Sequence, residues 1–140
     1  MYFVSGTRLR LRSLWFLPAF MKSNNAVIKQ LKISGGFAGG KELMDKGLVF
    51  WTLNIWEQET DMKVFRISEP HRKGMQKLPD WCNEATYAHW LQEDKEFPEW
   101  SFIYDKMIAE GKVSKVRNPS EKHVSKSFPP IKWKKTGRAF

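Results

Sequence analysis

The sequence has a single cysteine, Cys82, so no disulfide can form within the chain. That fits a reducing compartment, and the location expected from it is the cytoplasm. Lying next to Trp81, Cys82 reads as a small buried hydrophobe rather than a nucleophile. No uninterrupted apolar run approaches the roughly 20 residues that a membrane span needs. Arg8, Arg10 and Arg12 before the short apolar stretch Leu14 to Phe20 imitate the start of a signal peptide. No small-residue cleavage site follows, so the stretch reads as structure. Zinc spacing is absent. The glycines 35, 36, 39 and 40 do not form a phosphate-binding loop between a strand and a helix. No nucleophile elbow or Ser-His-Asp arrangement is legible. Acids are almost missing from the last thirty residues, where nine Lys or Arg face only Glu121. The net charge of +9 therefore belongs to the tail. The rest of the chain is nearly neutral and makes no electrostatic case for nucleic acid, which is not expected as a partner.

What the sequence does have is aromatic side chains, including seven Trp and ten Phe in 140 residues. They suit a large apolar core, an interface or an aromatic-lined pocket. The length is that of one domain with an ordinary core. We read residues 1–110 as the folded domain and 111–140 as a basic C-terminal extension. Phe128, Ile131, Trp133 and Phe140 would anchor that extension along the body or a second copy. An arm for an anionic partner remains open as the other reading.

The central stretch is Leu48 to Met75. Residues Leu48 to Trp56 are aromatic and β-branched, as in a strand. Its period-2 spacing puts Val49, Trp51, Leu53 and Ile55 on one face, toward a helix layer, and Phe50, Thr52, Asn54 and Trp56 on the other. The second face, dotted with polar groups, suits a cavity. Glu57, Glu59 and Asp61 open a helix carrying Met62 and Phe65. Ser68 is expected to cap a further helix with Pro70 early in it. His71 follows, with Met75 one turn on along the same face. Before this stretch, Tyr2 to Arg12 alternates as a strand. Leu14 to Leu31 reads as a helix burying Leu14, Leu17, Met21, Ala26, Val27, Ile28 and Leu31. Phe37 to Met44 is a second strand, joined to the third by the Asp45-Lys46-Gly47 turn. After it, Glu84 to Glu93 alternates as a fourth strand, and a last helix starts near Phe97. The order β-α-β-β-α-β, with a further helix and tail, is an α+β, ferredoxin-like split βαβ unit with an antiparallel sheet.

The order Trp51-Thr52-Leu53-Asn54-Ile55-Trp56-Glu57, then Met62, Phe65, Ser68, His71 and Met75, followed by Trp81 and Trp90, resembles the centre of the dimeric α+β barrel superfamily. That group includes the antibiotic-biosynthesis monooxygenases, the heme-degrading monooxygenases and spheroidene monooxygenase. The pattern is nearest to an uncharacterised family within it, and it covers roughly residues 2 to 110. The resemblance implies a homodimer in which two sheets face each other, each protomer keeping its own pocket. It implies heme as a cofactor, with His71 as the axial iron ligand and Arg72 and Met75 beside it. Phe65 falls near a tryptophan that the heme-degrading relatives use to distort the porphyrin. Their first-strand asparagine has no counterpart here, where Ser5 and Thr7 stand.

The residues themselves offer His71 as axial ligand or general acid/base, and His89 as a second proton-handling group if it reaches the same pocket. His123, in the polar tail, is expected to be solvated. Ser5, Thr7, Thr52, Asn54, Trp56, Phe65 and Trp90 are the expected pocket residues, suited to a small apolar or aromatic ligand. Three functional readings stand together. One is a monooxygenase-like enzyme acting on an apolar organic substrate, with or without heme. The second is a non-catalytic heme- or small-ligand-binding protein. The third is a cofactor-free isomerase or dehydratase.

Overall fold

A computed structural model describes all 140 residues. Strand β1 (Tyr2–Leu11) leads through a 3-10 turn (Leu14–Phe16) into helix α1 (Leu17–Lys32). Strands β2 (Phe37–Asp45) and β3 (Val49–Trp56) form a hairpin, and helices α2 (Glu59–Ile67) and α3 (His71–Trp81) follow. Strand β4 (Cys82–Gln92) and helix α4 (Trp100–Glu110) complete the part read as a domain. The extension adds the two-residue strand β5 (Lys112–Val113), helix α5 (Glu121–Ser125) and the two-residue strand β6 (Arg138–Ala139). The sheet is antiparallel in the order β5-β4-β1-β3-β2-β6. This is the ferredoxin-like α+β architecture, with both edges finished by the extension. No helix is long and apolar enough to cross a membrane.

The two sheet faces are filled differently. Val4, Trp51, Leu53, Ile55, Ala88 and Trp90 project to one side, where Trp100, Ile103 and Met107 of α4 and Phe128 and Ile131 of the extension cover them. Helices α1, α2 and α3 lie over the opposite face, the one carrying Thr52, Asn54 and Trp56. So the helix layer and the cavity share one face, and the Val49–Ile55 row meets a separate cover of α4 and tail. The sheet face opposite the cavity is thus covered by α4 and the extension of the same chain.

Local details follow the residues. Pro18 sits in the first turn of α1, where its missing N–H costs nothing. The helix starts three residues later than the sequence pattern suggests, because Ser13 caps the 3-10 turn instead, accepting from Trp15 N. Leu14 is therefore exposed, not buried, and Phe20 takes the core position. Ser68 does not cap α3 with its side chain. Its hydroxyl donates back to the Val64 carbonyl at 2.7 Å, a bond that competes with capping. Pro79 lies inside α3, which runs on to Trp81.

The extension is tied down by buried polar groups. Asp45 accepts the backbone N–H groups of Lys132 and Trp133 at 3.1 and 2.9 Å. His123, expected in solvent, is buried, and its Nδ1 accepts the Ala85 N–H at 3.1 Å. The edge geometry explains this: β4 has a free N–H there, and a buried donor must be paired. Trp133 stays half exposed, while Phe128 is 2% exposed. Arg138 pairs with Glu42 and Arg117 with Asp80, so part of the tail's charge is used within the chain.

Candidate functional site

The antiparallel register sets polar side chains in rows across the cavity floor. Ser5 of β1 stands between Asn54 of β3 and His89 of β4. Thr7 stands between Thr52 and Tyr87. Directly opposed residues on one face are about 5 Å apart at Cβ, so these six form one compact polar patch. All six are only half buried, while their neighbours Val4, Gly6, Leu53, Ile55, Ala88 and Trp90 are buried. That contrast marks the patch as facing open space, and the space is a cavity of about 400 Å³, within the ~300–1,000 Å³ usual for ligand sites. Its roof comes from α1, α2 and α3, with Phe20, Leu31, Met62, Phe65 and Trp81 among the walls. Ser114, Lys115 and Val116 close one side, and Phe140 another.

Two polar atoms on these walls are fully buried and unpartnered: Asn54 Oδ1 and Trp56 Nε1. A buried polar atom without a partner costs roughly 1–3 kcal/mol. Both atoms are sealed from solvent, with Asn54 Oδ1 tucked against Gly40 of β2, so neither is presented to the cavity space. They lie behind the aromatic end of the cavity, where Trp56 packs on Phe37 and Phe65.

His71 enters from the roof at the first residue of α3. Gln30 of α1 places it. The Gln30 side chain accepts the His71 backbone N–H at 2.9 Å and donates to the Phe65 carbonyl at 3.2 Å, joining the end of α2 to the start of α3. The imidazole Nδ1 lies 3.0 Å from the Arg66 carbonyl oxygen. That oxygen can only accept, so Nδ1 carries the proton and Nε2 is left with its lone pair. The ring packs on Phe65 at 4.6 Å. Burial lowers the His71 pKa, against the Arg66 carbonyl bond, which favours the proton, and the Arg66 charge adds to the lowering. The imidazole is neutral at pH 7. His89 is also lowered, first by burial, while Glu59 pulls upward and Arg66 and Lys112 downward. Its ring lies between Phe3 at 5.1 Å and Tyr87 at 5.3 Å.

Ser5, Thr7, Thr52, Asn54, Trp56, Phe65, His71, Met75 and His89 all line this one cavity. Two expected residues do not. Trp90 follows His89 in an extended strand and so points to the opposite face, where it packs with Val4 and Met107. Arg72 is exposed and binds Glu69, in the link just before α3, at 2.7 Å. Tyr87, Arg66, Lys115, Gln30 and Phe140 were missed. Tyr87 was readable, since it alternates with His89. The others lie far from the floor residues in sequence, and only the fold brings them in. The cavity has no group of three or more His, Cys, Asp or Glu side chains to hold a bare metal ion.

No protein-family model matches the chain, and no curated protein does. Solved structures do. A variant of SnoaB, a cofactor-independent oxygenase from Streptomyces nogalater, superimposes with a TM-score of 0.57 at 8% identity, over 67% of this chain and 95% of that one. Rv0793 from Mycobacterium tuberculosis gives 0.61 at 10% identity, over 68% and 98%. A candidate antibiotic biosynthesis monooxygenase from Nitrosomonas europaea gives 0.59 at 12% identity, over 65% and 89%. The chain has the fold of the antibiotic-biosynthesis-monooxygenase group. The superposition spans nearly the whole of these neighbours and leaves about a third of this chain without a counterpart in them. At such identities the likeness is one of fold, and the site must be argued from its own residues.

Proposed function

We propose that this chain is a small pocket enzyme, monooxygenase-like, acting on a flat apolar organic molecule held between the sheet and α1–α3. The observation that carries this is His71. Its tautomer is set by the Arg66 carbonyl, burial keeps it neutral, and it stands on the wall of an aromatic cavity with a polar floor. A neutral imidazole with a free Nε2 is a general base. It would take a proton from an activated methylene of the substrate, leaving an electron-rich anion. Ser5, Thr7, Thr52 and Tyr87, the half-buried polar residues of the floor, would orient the substrate's own polar groups. Molecular oxygen would then oxidise the methylene to a carbonyl, with one oxygen atom kept and the other released as water. SnoaB, of the same fold, is a cofactor-independent oxygenase, which supports chemistry run by side chains alone. The test is oxygen uptake with flat aromatic compounds bearing an activated methylene. Uptake that His71→Gln abolishes in a folded protein is expected. Uptake unchanged by that substitution removes His71 from the chemistry.

A second reading rests on the same Nε2. An imidazole whose Nδ1–H is held by a carbonyl is arranged as a metal ligand, so His71 would be the residue to hold a heme iron. Arg66 and Lys115, the cations lining the cavity, would face its propionates, in place of Arg72. The heme would supply oxygen activation, or would make the chain a carrier without catalysis. Absorption spectra before and after hemin separate the readings. A stoichiometric Soret band lost in His71→Ala supports heme, and its absence leaves the cofactor-free enzyme, an isomerase or dehydratase included. A homodimer, implied by the sequence resemblance, would use a surface other than the covered sheet face.

A further inference from the structure

The cavity lining contains no Asp or Glu, and its only fully charged members are Arg66 and Lys115. Met75 is the one other lining residue that is exposed, so these three lie where the cavity walls meet solvent. Lys63, Lys73, Lys106, Arg72, Arg117 and Arg138 each pair with a carboxylate. Neither Arg66 nor Lys115 has such a partner. Arg66 is close enough to lower the pKa of both His71 and His89. The nearest opposing charge is Glu59, which acts on His89 but is not in the lining and pairs with Lys63 at 3.6 Å. Arg66 also sits in the last turn of α2, where a cation suits the helix dipole. Lys115 has no such local role. It lies on the irregular segment that Ser114 N and Arg117 N tie to Ala85 and Pro79. Two elements distant in sequence thus bring unpaired cations to the solvent edge of an otherwise neutral, aromatic cavity.

We infer that the ligand of this cavity is an aromatic anion. Its apolar body lies on the Trp56 and Phe65 side, and a carboxylate, sulfonate or phosphate group sits at the solvent edge between Arg66 and Lys115. This rests on the pocket reading above and names its substrate class. Electrostatic attraction at a rim gives selectivity and salt dependence more than raw affinity.

Paired fluorescent probes test it: 1-anilinonaphthalene-8-sulfonate, an aromatic anion, and N-phenyl-1-naphthylamine, the same ring system without the charge. The anion is expected to bind the full-length protein more tightly, and increasingly so at low salt. Arg66→Gln and Lys115→Gln should each weaken the anion about three- to fivefold, the effect of an exposed ion pair, and leave the neutral probe unchanged. Equal affinity for both probes overturns the anion preference but leaves the pocket reading standing. So does an equal loss of both probes in the variants, which marks a structural role. Binding of neither probe to the folded protein overturns both readings.

Discussion

Arg8 Nη1 and the Glu84 carboxylate meet at 2.7 Å with both side chains 3% exposed, under the ring of Phe128. The pair links β1 to β4 and lies beneath the extension. Ser120 donates to the same carboxylate at 3.0 Å, and Arg10 approaches at 3.4 Å. Burial by itself would push the Glu84 carboxyl up. The Arg8 hydrogen bond and charge, with Ser120 and Arg10, outweigh it and hold the carboxyl below its usual range. Burial lowers Arg8 despite Glu84, but an arginine remains charged. The pair therefore fixes geometry at a desolvation cost. Arg8→Met alone should destabilise by up to about 3–5 kcal/mol, because it leaves the buried Glu84 with only Ser120 and the more distant, part-exposed Arg10. The double variant Arg8→Met/Glu84→Leu should recover much of that loss. Urea unfolding of both variants measures it, and a double variant no better than the single one would refute the account.

The two cavity histidines make stability depend on pH in one direction. Both have folded-state values below the ordinary 6.5. Below pH 6.5 the unfolded chain takes up protons that the folded chain refuses. Stability is therefore complete above about 6.5 and is lost as the pH falls through that value, levelling only below the folded pKa. Denaturation midpoints should drop between pH 7 and pH 5, and His71→Gln with His89→Gln should flatten part of that drop. A slope unchanged by the double substitution would assign the acid loss to other groups.

Gly40 is required by what crosses it. A Cβ there would lie 2.5 Å from the Phe140 ring and 2.9 Å from Asn54 Oδ1. Phe140 pairs with Gly40 through both backbone bonds, N–H to O at 2.8 Å and the reverse at 3.2 Å. Gly40→Ala should push Phe140 off the cavity wall and weaken ligand binding, with a smaller effect on global stability. Probe affinity and thermal unfolding of the variant report the two effects separately.

Cys82 should be inert. Its thiol is buried, and desolvation pushes its pKa up to about 12, so almost no thiolate exists at neutral pH. Ellman's reagent should react with the native protein only at the rate of unfolding, and fully in denaturant. Rapid labelling of the folded protein would contradict this.

Much of the site was legible because strands alternate. Once Leu48 to Trp56 is read as a strand, Thr52, Asn54 and Trp56 must share a face. Ser5 and Thr7 join them by the same rule, and His71 with Met75 follows from helical spacing. The same alternation shows that His89 and Trp90 cannot both face one cavity. Helix termini were less legible. Pro18 and Ser13 each support a start, and the backbone chose both in turn, which left Leu14 outside.

The sequence by itself determined the order of elements, the polar row on one strand face and the single inert cysteine, because these follow from local periodicity and residue chemistry. Phe128 and Ile131 were legible as anchors of the extension, but only the tertiary structure decided which sheet face they would seal and that His123 and the Arg8–Glu84 pair would be buried. It alone brought Arg66, Lys115 and Phe140 to the cavity. Such contacts join residues dozens of positions apart, and their energy comes from pairing buried donors and covering apolar surface, which no short window of sequence contains.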